Sequence, residues 1–96
     1  MTVRLRVTLP PLLREFYPGV GAVSVEAATV LDLVEGLELQ LPGIAPRLQG
    51  PDGRLRSYLT LVVDGEAMPR EPAGALPISA AEGEMDAWFL AAVAGG

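Results

Sequence analysis

The chain contains no cysteine, no histidine and no lysine. Without cysteine there is no disulfide, no thiolate nucleophile and no soft metal site. Without histidine, the common zinc sites, His-dependent triads and imidazole acid–base chemistry are excluded. Without lysine, Schiff-base chemistry is excluded as well. Any catalysis would rest on carboxylates, hydroxyls and arginine alone. Aromatic residues are scarce, at 5%, and no apolar run approaches the roughly 18 residues that a membrane span needs. Near the start, Arg4, Arg6, Arg14, Pro10 and Pro11 interrupt the short apolar pieces, which is unlike the continuous core of a secretory signal. Neither a membrane nor export is expected, and the cytoplasm is the default location.

What is present suits one small folded domain spanning residues 1–96. Half of the 96 residues are hydrophobic and a fifth are charged, with 9 prolines and 11 glycines, a composition rich in turns rather than disordered. Twelve acids stand against seven bases for a net charge of −5, and every base is an arginine. Phosphate binding needs a clustered basic surface, so no nucleic acid partner is expected. The acidic surplus either keeps a small protein dissolved or supplies a face that steers it toward a basic partner enzyme.

Hydrophobic periodicity orders the elements. In VRLRVTL, residues 3–9, Val3, Leu5, Val7 and Leu9 alternate with Arg4, Arg6 and Thr8, which predicts a half-buried strand that Pro10 and Pro11 stop. AVSVEA repeats the period of two, so the pair forms an antiparallel hairpin with a long connecting loop. In TVLDLVEGLELQLPG, Thr29 is the N-cap with Asp32 three residues on. Val30, Leu33, Val34, Leu37 and Leu41 form one helical stripe, and Pro42 and Gly43 end it. Gly36 inside the helix either permits a close approach to the sheet or simply weakens the helix. Residues 44–57 read as a short helical turn and a loop. YLTLVVDGEAM is a strand with Leu59, Leu61 and Val63 inward, and Asp64-Gly65 is a hairpin turn. Residues 69–84 hold too many prolines for regular structure. MDAWFLAAV is the last strand.

One amphipathic helix after an N-terminal hairpin, followed by further strands, predicts an α+β chain. The mixed sheet carries the helix across one face, with first and last strands side by side at its centre. That is the β-grasp, or ubiquitin-like, arrangement. GVGA at residues 19–22 lacks the context of a nucleotide-binding loop and reads as a turn. Asp32 and Glu35, one helical turn apart, have no aromatic pocket around them, so no catalytic residue and no metal site is assigned.

The chain closes on AAVAGG. At this glycine content, 11 of 96, two terminal glycines arise by chance about once in eighty. Following the last strand of a β-grasp pattern, they take on a chemical meaning. A carboxylate is a poor electrophile, but its acyl adenylate is open to nucleophilic attack. An enzyme that makes one must admit the terminus into its nucleotide site. Glycines lack Cβ and take whatever backbone conformation a narrow channel imposes.

Across nearly its whole length the chain resembles the ThiS/MoaD-like sulfur carriers. The likeness runs from VRLRVTLPPLLRE through Thr29-Val30-Leu31-Asp32-Leu33, Pro42-Gly43-Ile44, Asp52-Gly53-Arg54-Leu55-Arg56 and Asp64-Gly65-Glu66 to Ala92-Val93-Ala94-Gly95-Gly96. LPPLLRE is most similar to the carriers of cysteine biosynthesis. The chain departs from the family pattern at Gly83-Glu84 and Ala91, and MDAWFLA carries one residue more, which suggests a bulge and leaves open whether Trp88 or Phe89 faces outward. The resemblance implies that the chain is a carrier rather than an enzyme and holds no cofactor of its own. An E1-like adenylating enzyme would consume ATP to activate Gly96, with Gly95, Ala94, Val93 and Ala92 threading its channel. Gly96 would then become a thiocarboxylate that delivers sulfur to a synthase of cysteine, molybdopterin, thiamin or a thiolated natural product. The sheet face away from the helix, with Tyr58, Thr60 and Val62 beside Arg4 and Arg6, is the expected docking surface, unless the 67–82 loop half-covers it. Two alternatives remain: a ubiquitin-like modifier conjugated through Gly96, and an interaction module with a passive tail.

Overall fold

The structure, a computed structural model, describes residues 2–69, 71–78 and 83–91. The first strand, β1 (Val3–Thr8), buries Val3, Leu5 and Val7 and exposes Arg4 and Arg6, as its alternation requires. The connection that follows is not all loop. Pro11 opens a single helical turn, α1 (Pro11–Arg14). Proline's missing N–H falls there on a position with no intrahelical acceptor, so the residues that stop the strand also start the turn. The second strand, β2 (Ala22–Ala27), pairs antiparallel with β1 from Val3↔Ala27 to Thr8↔Ala22.

The long helix, α2 (Val30–Gln40), begins at a complete capping box. Thr29 Oγ1 accepts the Asp32 N–H at 3.1 Å, and the Asp32 carboxylate accepts the N–H groups of Thr29 at 3.2 Å and Ala28 at 3.0 Å. Asp32 is thus a cap and not half of an acid–base pair with exposed Glu35. Val30, Leu33, Val34 and Leu37 are buried against the sheet. A Cβ at Gly36 would lie 3.3 Å from both Cβ and Cγ1 of Val25. Close approach of helix to sheet therefore accounts for this glycine.

At the other end of α2, the Glu38 carboxylate accepts the N–H groups of Gly43 at 2.7 Å and Ala45 at 2.9 Å, which ties α2 to the short helix α3 (Ala45–Leu48). These two bonds favour the ionised form and hold the Glu38 pKa below its ordinary value. A carboxyl whose folded pKa is depressed contributes stability above its unfolded pKa and loses it as pH falls through the folded value. Glu38→Gln is expected to lower the melting temperature at neutral pH. The difference from the parent should close as pH falls below about 4, read by thermal denaturation across that range.

The remaining strands are β3 (Leu59–Val63), β4 (Glu66–Ala67) and β5 (Glu84–Ala91). Val63 faces Glu66 across a two-residue turn in which Asp64 (φ 51°) and Gly65 (φ 84°) are both left-handed. In the proline-rich stretch after β4 there is one 3₁₀ turn, Ala73–Ala75, and Thr29 bridges to Pro77.

The sheet runs β2-β1-β5-β3-β4, with β1 and β5 parallel. Residues 84–88 align with 4–8, and 87–91 align with 63–59, both without interruption. The expected bulge is therefore absent, and the extra residue is accommodated in a continuous strand. Met85, Ala87 and Phe89 point into the core with α2. This is the β-grasp fold. No helix among the described residues is long and apolar enough to cross a membrane.

Candidate docking face and tail

The sheet face opposite α2 carries the side chains that alternate out of the core. In the middle stands β5, with Glu84, Asp86, Trp88 and Leu90 outward. Trp88 lies beside Thr8 on one side and Val62 on the other, and Leu90 lies beside Thr60. Trp88 is 46% exposed and Leu90 50%, whereas Phe89 between them is 1% exposed. The outward aromatic residue is thus Trp88.

The expected docking residues are not all brought together. Thr60 and Val62 do face outward, half-buried. Arg4 and Arg6 are not beside them, because parallel pairing of β1 with β5 inserts a whole strand between. Arg4 instead aligns with Glu84 and Arg6 with Asp86, and Arg4 forms an ion pair with Glu26 at 3.4 Å. Ser24 Oγ also donates to Glu84 at 3.4 Å. That corner is mixed in charge and acidic in balance rather than an arginine border. Tyr58 precedes β3, and its hydroxyl donates to the Arg47 carbonyl at 3.3 Å, which draws it toward α3 at the end of the sheet.

Trp88 and Leu90 are absent from the expected docking set because a one-residue slip exchanges the two faces of a strand. A signal for the register was present in Asp86. It shares parity with Trp88, and an inward Asp86 would bury a carboxylate in an apolar core.

A groove of about 540 Å³ runs along the β3 edge, lined among others by Arg54, Tyr58, Thr60, Met68 and Glu71. Its charges are of both signs and converge on no point. At the end of β5, Ala91 pairs with Leu59 and is the last described residue. Ala92, Val93, Ala94, Gly95 and Gly96, the expected tail, lie outside the described residues.

A small β-grasp protein whose central strand leads into a glycine-ended tail is the class that fold and sequence define. The chain matches no family model and no curated protein sequence. Among solved structures it is similar to CysO of Mycobacterium tuberculosis, an antigen, with a TM-score of 0.76 and 26% identity over 93% of this chain and 99% of that one. A chain of the BexX/CysO complex of Amycolatopsis orientalis gives 0.76 and 27% over 96% and 99%. SAMP1 of Haloferax volcanii, a small archaeal modifier protein, gives 0.72 and 28% over 97% and 99%. In each case the likeness runs almost from end to end of both chains.

Proposed function

We propose that this chain is a sulfur carrier whose terminal Gly96 carboxylate is adenylated by an E1-like enzyme. The carboxylate attacks the α-phosphate of ATP and releases pyrophosphate. Hydrosulfide, or a donor at the same oxidation level, then displaces AMP at the acyl carbon. The resulting thiocarboxylate gives its sulfur to a biosynthetic synthase, of cysteine, molybdopterin, thiamin or a similar product, and returns to the carboxylate. The observation that carries this reading is the placement of β5. The strand is paired with β1 through Trp88 and with β3 through Ala91, and in the sequence five small, uncharged residues follow it directly. Five residues reach at most about 17 Å. A rigid base with a thin lead of that length suits delivery of one carboxylate into a site that the domain itself stays outside. End-to-end similarity to CysO supports the same reading.

Similarity to SAMP1 favours a second reading, in which an amine of another protein attacks the same adenylate to form an isopeptide bond. Lacking lysine, this chain offers no side-chain amine for building chains upon itself.

The intact mass of the protein from its native cell tests both. A gain of about 16 mass units, sulfur in place of oxygen, is expected for the carrier. Heavier conjugates would favour the modifier. Only unmodified chain, with and without sulfur limitation, would overturn both.

A further inference from the structure

The charges of this chain are distributed unequally along the sheet axis. At the end where β2 stops and β5 starts stand Glu26, Asp64, Glu66, Glu84 and Asp86, with Arg4 already paired to Glu26. The opposite end is the one at which β5 reaches Ala91. β1 runs parallel to β5 and stops at Thr8 beside Trp88, so Pro10, α1 and the residues after it lie at that same end. So does α3, held to Tyr58 next to the Leu59↔Ala91 pair.

Two arginines at this end are held by neutral groups. The Arg47 guanidinium carbon lies 3.6 Å from the centroid of the Phe16 ring, and Arg14 Nε donates to the Leu9 carbonyl at 2.9 Å. Neither forms an ion pair among the described residues. Their positive charge is therefore left for an outside partner. Stacking on Phe16 also restricts the Arg47 side chain before any contact is made, leaving its N–H edge to donate to both oxygens of a carboxylate. Exposed apolar side chains gather at the same place: Leu12, Phe16, Tyr58 and Leu90, with Trp88 one step further along β5. Exposed apolar surface with arginine beside it is the composition of a recognition surface.

We infer that Arg47 and Arg14 dock the chain, tail end leading, against carboxylates around the entrance of the enzyme that activates Gly96. The inference rests on the activation reading above and adds to it the chemistry of the partner. Although the net charge is −5, the leading end, where Glu15 and Glu38 stand against Arg14 and Arg47, is less negative than the other, where Arg4 and Arg6 stand against Glu26, Asp64, Glu66, Glu84 and Asp86. Steering therefore calls for an acidic entrance, and a basic one would attract the wrong end of the molecule.

The probe is the activating enzyme of the native cell, defined by ATP–pyrophosphate exchange that depends on this chain. Arg47→Glu and Arg14→Glu together are expected to raise KM for the chain at least about tenfold with kcat unchanged. Added salt should lower kcat/KM for the parent and leave the double variant nearly unaffected. Arg47→Gln and Arg14→Gln, which disturb packing less, should each show a smaller shift in the same direction, with melting temperatures near the parent's. Exchange with an unchanged or lowered KM in the charge-reversed chain would overturn the acidic entrance while leaving activation of Gly96 intact. No exchange with the parent chain would overturn the activation reading and this inference with it.

Discussion

Removal of Gly95 and Gly96 is expected to abolish chain-dependent ATP–pyrophosphate exchange, a fall of at least about a hundredfold, while the melting temperature stays where it was. The two halves of this expectation have separate physical grounds. Stability resides in the core from Val3 to Phe89, and the last described ladder pair is Leu59↔Ala91. In sequence the final two residues lie four and five positions beyond that pair. Reactivity, in contrast, depends on where one carboxylate arrives. Two fewer residues shorten the reach by about 7 Å, whereas displacements of about 1 Å already cost much of the advantage of a positioned reactant. Gly96→Ala keeps the reach and adds one methyl group, so it isolates the requirement for a thin terminus and should give a smaller loss. Exchange by the truncated chain at the parent's rate would show a passive tail, and both the carrier and the modifier readings would fail.

Legibility of the fold in the sequence followed the strength of local chemistry. The capping box at Thr29 and Asp32, the helical stripe from Val30 to Leu37 and the Asp64-Gly65 turn are each specified by residues close in sequence, and each stands where periodicity placed it. The α1 turn was hidden because two successive prolines read as an interruption, although Pro11 is suited to a helix start. Register was harder still, since it depends on strands far apart in sequence. The parallel alignment of Thr8 with Trp88 separates Arg6 from Val62 by a full strand, and no local pattern in either segment encodes that separation. The arginine–aromatic contact between Arg47 and Phe16 joins segments thirty-one positions apart and has no signature in either. The tail shows the reverse relation. The expectation placed on AAVAGG rests on the chemistry of its residues alone, and all but Ala91 of it lies outside the described residues.

Phe89→Ala and Trp88→Ala, adjacent on one strand, are expected to fail in opposite ways. Phe89 is among the largest fully buried side chains and belongs to the same core cluster as the buried face of α2. Its truncation removes apolar contact and leaves a cavity, at a cost of about 3–5 kcal/mol. A domain of this size has a total of only about 5–15 kcal/mol. Urea denaturation should place the Phe89→Ala midpoint far below the parent's, with part of the chain unfolded before denaturant is added. Trp88 is 46% exposed on the open face, so its truncation should change stability by no more than about 1 kcal/mol. The same change removes the largest apolar group available to a partner and is expected to raise KM in the exchange assay about tenfold or more. The pair also tests the register. If β5 were shifted by one residue, Trp88 would occupy the core and Phe89 the open face. The two phenotypes would then be exchanged, and Asp86 would lie buried beneath α2 without a partner.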